Sequence, residues 1–507
     1  MKNNTIGIVL YGAGKEAERF YDEYKKLVSV AFVIAKETTF FRGVKSVFLD
    51  SCAEELKDRY IIVATNKVNY YEIRKELERK GLREFEHFCS GFMFEIAYKK
   101  IGNGVIAYIK SFSDKLYVYD TWKWFLACAR NYCKEKKEQI EIVEKGVILP
   151  PVMINGEYRG GVVDIDWTFV AGQMSSGEDR WEKGAPGYWG IRNGYYANVE
   201  EEIDEEVIFG GVLFNHFGHF LLDSMSRLWF VRNNLYAGRK IAFIENGHST
   251  WMDELLELLG ISEHDVIIVK NPTRFKKVLV PNESMHHLNF CREDFKHVVN
   301  EIIARLPMSK QSIEKVYLAK RTNSERVLGE KVFEEYYRKK GYTVIVPEKL
   351  PVCQQIAIVH NAKHIVATMG TLSHFSLFCK QGTEFVVLNR NDEYVCVQQI
   401  ICNEIGNVDW KIIDVANNIL PTRENAGINN LGITALFRKY AFDCYSDELE
   451  QESMDSQYYA YLKTFCDSYK DPMEFKKKRI EQFDGFELLN KIHRMIYGTD
   501  LDRSKYC

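Results

Sequence analysis

The chain is poor in the features that usually name a protein class. Its twelve cysteines run from Cys52 to Cys507 without one Cys-x-x-Cys pair, which argues against a zinc ribbon and a compact disulfide framework. No apolar run reaches about 18 residues, so no membrane-spanning helix is expected. The opening IGIVLYGAG run is short and leads into a charged helix, unlike a signal peptide. Charge of one sign is lacking too: 68 Lys and Arg stand against 71 Asp and Glu, a net −3, and provide no global basic field for nucleic acid. What is present is ordinary core material, 46% hydrophobic and 27% charged, which excludes disorder. The expectation is a cytoplasmic protein with reduced thiols and no nucleic-acid partner. Its 507 residues exceed one core, and about three or four domains is the prior.

Strand and helix alternate from the start. IGIVLYG (6–12), SVAFVIA (29–35) and RYIIVAT (59–65) read as strands, KEAERFYDEYKK (15–26) and VNYYEIRKELERKG (68–81) as helices. That alternation implies a parallel sheet. The first turn, from Gly12 through Gly14 to Ala17, is a GxGxxA form of the dinucleotide fingerprint, which asks for an acid at the end of the second strand. Lys36 occupies that place, beside Glu37, and favours a phosphate. Gly12, Gly14 and Lys36 are thus candidate nucleotide contacts of a Rossmann-like domain over 1–95, with a sugar-nucleotide site or a purely structural module as the alternatives to a dinucleotide site. Residues 96–145 read as a helical connector whose clearest helix is WKWFLACARNYCKEKKEQ. Further α/β alternation follows over 146–295 and again over 296–420, and 421–507 reads as a charged helical tail.

One segment concentrates chemistry. LFNHFGHFLLDSMSRLWF (213–230) places His216, His219 and Asp223 around a helix start. His219 and Asp223, four apart, share a helical face, and Gly218 permits close backbone approach. An imidazole oriented by a carboxylate suits base work at neutral pH. The bland alternative for His219 is a capping or core histidine, and for Arg227 an i,i+4 salt bridge to Asp223. A metal-hydrolase reading takes His216, His219 and Asp223 as ligands.

Blocks in sequence order then carry a resemblance. They are GGVLFNHFGHFLLDSMSRLW (210–229), VYLAKRTNSERVLGE (316–330) and PVCQQIAIVHNAKHIVATMGTLSHFSLF (351–378). They resemble glycosyltransferase family 61, especially bacterial members tied to capsular and other surface polysaccharides. The resemblance covers about residues 150–415 and implies a GT-B-like pair of Rossmann-like units, 146–295 on the acceptor side and 296–420 on the donor side. It implies inverting transfer from a nucleotide-sugar without a required cofactor or bound metal, to a glycan or lipid-linked acceptor, with possible peripheral association with the inner membrane face. By the match Arg321, Arg326 and Glu330 are carried over as donor contacts. Met369 departs from the pattern, standing where many members have His or Glu, and His374 is placed to take over a donor contact.

Transfer needs a base for the acceptor hydroxyl and donors for the departing diphosphate. His219 or Asp223 is the candidate base, with His216 beside them. Lys320, Arg321 and Arg326 follow a strand end, where such contacts are made. The Gly370–Ser373 turn opens a helix, so Gly370, Thr371 and Ser373 join the donor set. A catalytically degenerate relative that binds nucleotide-sugar or acts as a scaffold is the non-enzymatic alternative.

Overall fold

The computed structural model describes residues 5–52, 54–56, 58–129, 139–155, 157–170, 193–232, 236, 238–286, 290–307, 313–321, 326–391, 394, 398, 401–406, 408–420, 428–450, 455–477 and 485–506. The chain is α/β and divides into two compact units, Met1–Arg130 and Asn131–Cys507.

In the first unit the strand Ile6–Tyr11 lies centrally in a sheet. Val28–Ile34, Val44–Val47 and Phe40–Phe41 lie to one side, and Tyr60–Val63 and Phe88–Ser90 to the other. Its neighbours run parallel to it. Continuous apolar runs suit this place, because a sheet covered on both faces buries every residue, and Ile8, Val9 and Leu10 are fully buried. The helix Lys15–Tyr24 buries Ala17, Phe20 and Tyr24, a helical stripe. Phe94 of the helix Gly91–Ile101 packs edge-on against Phe20 and Tyr24. That helix, capped by the Ser90 hydroxyl on Met93 N, continues through position 95. The expected connector helix is helical over Thr121–Ala129, and positions 130–138 lie outside the described residues.

Among the described residues, the second unit contains two large sheets and two short two-stranded ones. The first is ordered Glu157–Val163, Val147–Ile154, Thr273–Pro281, Glu201–Phe214, Lys240–Asn246 and Val266–Val269. Its edge hairpin is antiparallel, and the strands from Thr273–Pro281 onward are parallel. The second sheet runs Thr343–Ile345, Lys315–Leu318, His364–Thr368, Glu384–Asn389 and Asp409–Asp414, all parallel. Glu201–Phe214 and Asp409–Asp414 are among the strands not anticipated from sequence. The former begins as the acidic EEIDEE, and only its second half is buried. It nonetheless lies between two parallel neighbours and leads directly into the histidine segment.

The tail is helical, with Ala435–Tyr445, Asp455–Tyr469, Pro472–Lys477 and Gly485–Tyr497. It forms its own apolar cluster around Tyr461, Phe465, Phe475 and Leu489. Among the described residues no helix is long and apolar enough to cross a membrane.

Candidate active site

The carboxyl ends of parallel strands build the site, as open α/β sheets generally do. The strand Glu201–Phe214 delivers His216, which caps the following turn by accepting a hydrogen bond at Nδ1 from His219 N, 3.3 Å away. The chain then makes a π-helical turn, Phe220–Ser224, and a 3₁₀ helix, Met225–Arg232. A regular α-helix was expected here. The Ser224 hydroxyl explains part of the departure. It donates to Val212 O at 2.8 Å and accepts from Phe214 N at 3.3 Å, tying the turn back onto the strand. Such π-turns are frequent at functional sites.

On this turn His219 Nδ1 and Asp223 Oδ2 are 2.7 Å apart. Asp223 is 6% exposed, the His219 side chain 20%. A carboxylate at Nδ1 selects the tautomer protonated there and makes Nε2 the basic nitrogen. The His216 ring lies 4.8 Å from that of His219. Burial, followed by the charges of His219 and Lys320, pulls His216 down to about 4, so it is neutral at pH 7. Lys320, just beyond the strand Lys315–Leu318, therefore lies close enough to act on the histidine cluster.

Gly218 joins the two sheets' loops. A Cβ built there would meet His374 Cδ2 at 3.1 Å and Thr371 Oγ1 at 3.2 Å. The neighbouring rings of Phe217 and Phe375 stand 5.4 Å apart. Thr371 in turn lines a cavity with Lys320, Glu330, Thr368, Met369 and Arg390. Thr371 thus belongs to both groups, meeting the Gly218 turn on one side and lining the cavity on the other. The helix behind Thr371 is 3₁₀ over Thr371–Phe378, in place of the helix expected over 373–382. Ser373 is fully buried and its hydroxyl is used inside the turn, donating to Gly370 O at 2.8 Å and accepting from Gly370 N at 3.2 Å.

The structure brings most of the sequence-derived residues together, but not all. His216, His219, Asp223, Lys320, Glu330, Gly370, Thr371 and His374 converge. Arg321 turns its guanidinium away to Glu334, 2.7 Å distant, while its backbone N–H donates to Glu348. Arg326 is half-buried at the entry to Val327–Leu328, the short strand that pairs with Asn429–Asn430. Arg227, expected to bridge Asp223 on a helix face, is 1% exposed and reaches Glu283 at 3.2 Å and Pro281 O at 2.7 Å. Among the described residues no group of three or more His, Cys, Asp or Glu is placed to hold a metal. The residue that sequence reading missed is Arg390, which follows the strand Glu384–Asn389 and enters the same cavity.

In the first unit, Gly12 has φ +120°, and a Cβ there would lie 2.8 Å from Ala64 O. This demand is structural. Gly14 caps Lys15–Tyr24 without a side-chain bond, and Lys36 is exposed. None of the three lines the cavity of about 290 Å³ formed by Arg19, Thr65, Asn66, Lys67, Phe92 and Trp122.

The family model described as Glycosyltransferase 61 matches residues 217–386. That segment, part of the second unit, is similar to the glycosyltransferases of this family. The match contains His219, Asp223, Lys320, Glu330 and the Gly370 turn, while His216 and Arg390 lie just outside it. No curated protein matches the chain.

Proposed function

We propose that the second unit acts as a GT-B pair that transfers a sugar from a nucleotide-sugar to a hydroxyl of a glycan acceptor. The convergence of His219–Asp223 from one sheet with Lys320 and Thr371 from the other carries this reading. The acceptor oxygen attacks the anomeric carbon as the bond to the diphosphate breaks. His219 Nε2 takes the hydroxyl proton, and Asp223 stabilises the imidazolium. Neutral His216 lines the same turn without adding charge. Lys320 and the first-turn amides of Thr371 and Leu372 meet the charge that develops on the leaving diphosphate. Displacement from the opposite face inverts the anomeric carbon, with protein cations taking the part a metal plays elsewhere. A surface polysaccharide intermediate on a lipid carrier, reached from the cytoplasm, is the acceptor that the resemblance favours.

The test is a donor screen for nucleotide release across UDP-, GDP-, CDP- and dTDP-sugars, with and without glycan acceptors. With an active donor in hand, His219→Ala should lower kcat by about 10²–10⁴ and leave donor affinity and melting temperature near wild type. Asp223→Asn should also cut turnover. Wild-type turnover in His219→Ala ends the claim for that residue. Donor binding without turnover under any condition supports the degenerate alternative.

A further inference from the structure

The cavity contains a cation that none of the resemblance blocks includes. A Cβ built on Gly370 would lie 3.1 Å from Arg390 Nη2, so the guanidinium rests against the backbone of the Gly370–Ser373 turn. Arg390 Nε is buried and has no hydrogen-bond partner among the described residues. A buried donor left without an acceptor is costly, and more so when it is charged. Retaining one beside an open cavity makes sense where a ligand supplies the acceptor.

The opposing charge is Glu330, at the start of the helix Glu330–Lys339 and 6% exposed. Thr368 Oγ1 lies 3.3 Å from it, and the Lys320 backbone N–H also bonds it. Burial pulls Arg390 below its ordinary value, and the charge of Glu330 works against that pull. The other charges acting on Glu330 are Glu334 on its own helix and Arg321 at the adjoining strand end. Lys320 and Arg390 complete the charged lining of the cavity.

We propose that Arg390 is an anion-binding residue of this cavity, a ligand for phosphate oxygens, and that Glu330 is the counter-charge that takes up a proton when the anion enters. The proposal deepens the transferase reading and rests on it for the identity of the anion as a diphosphate. A guanidinium presents parallel N–H donors that match the oxygens of a tetrahedral oxyanion. A dianion placed beside an ionised Glu330 sets like charges against each other in a poorly solvated space. A proton on Glu330 removes that repulsion and turns the carboxyl into a donor. Burial, reinforced by Glu334, already lifts Glu330 to about 7, so the proton is taken up at little cost near neutrality. Affinity for the anion therefore falls as pH rises above that point.

Sodium sulfate is a suitable probe because its charge is constant from about pH 6 to about pH 9. It is titrated calorimetrically into the full chain at fixed ionic strength, in buffers of differing ionisation enthalpy. Wild type should bind more weakly as pH rises and take up protons on binding. Arg390→Gln should weaken binding about tenfold or more across the range, and Arg390→Lys, which keeps the charge but loses the fork, should fall between. Glu330→Gln should bind more tightly than wild type at about pH 8, with most of the proton uptake gone. Any slope left in that variant belongs to the neighbouring histidines. Unchanged sulfate affinity in folded Arg390→Gln and Arg390→Lys, full proton uptake in Glu330→Gln, or no sulfate binding to wild type each overturns the proposal. Sulfate behaviour as expected with no turnover of any donor sinks the transferase reading and leaves the anion site standing.

Discussion

A carboxyl buried as deeply as Glu330 holds its proton more tightly in the folded chain than in the unfolded one. Its contribution to stability is full below the ordinary value of 4.5 and is lost as pH rises through about 7. Glu330→Gln removes the ionisable group and with it that loss. The variant should melt above wild type at about pH 8, with the difference vanishing toward about pH 5; an equal difference at both, followed by circular dichroism, would count against the assignment. His216 runs the other way, being lowered to about 4, and its contribution is lost as pH falls. At this scale the sequence was a good guide where chemistry and spacing coincide. His219 and Asp223, four apart, do meet. It did not foresee the partner of Arg321, because a strand-end arginine has a long reach and Glu334 on the next helix takes it up. It was silent at Arg390, whose significance depends on which loop its strand end faces.

At the scale of elements, the segment bearing Asp223 is clamped by the loop that follows Thr273–Pro281. Arg227 pairs with Glu283, Trp229 Nε1 donates to Asn282 O at 2.8 Å, and Ser284 N donates to Ser226 O at 2.8 Å. Arg292 braces the loop from behind through Asn282 Oδ1 at 3.0 Å and Glu283 O at 2.9 Å. A buried ion pair contributes little against an apolar substitute, but removing one partner strands the other. Glu283→Ala should therefore destabilise the second unit by about 3–5 kcal/mol, and Arg227→Met with Glu283→Leu should recover most of it. Denaturant unfolding of both variants checks this, and a single variant as stable as wild type would show that the clamp is dispensable. The spacing of Asp223 and Arg227 suggested a local helical pair. The π-turn and 3₁₀ geometry, with Glu283 brought in from a distant loop, redirected the arginine.

At the scale of the whole molecule, Met1–Arg130 has its own sheet and its own aromatic core around Phe20, Tyr24 and Phe94. A 1–130 fragment should fold by itself, giving a cooperative melt and native-like near-ultraviolet dichroism. A 1–95 fragment should be markedly weaker, because it cuts the helix Gly91–Ile101 after Glu95. Equal stability of the two fragments would move the boundary back. By itself the sequence determined the α/β class, since strands buried on both faces must be written as continuous apolar runs and their covering helices as amphipathic stripes. It also pointed to the His219–Asp223 pair, whose four-residue spacing holds across the π-turn, whereas the same spacing at Asp223 and Arg227 did not produce a pair. Tertiary structure alone decided that Gly218 meets Thr371 and His374, that Arg390 joins Lys320 and Glu330, and that Arg227 answers to Glu283. Those contacts join residues far apart in the chain, and their partners are chosen by the order in which strands assemble and by where their carboxyl ends converge.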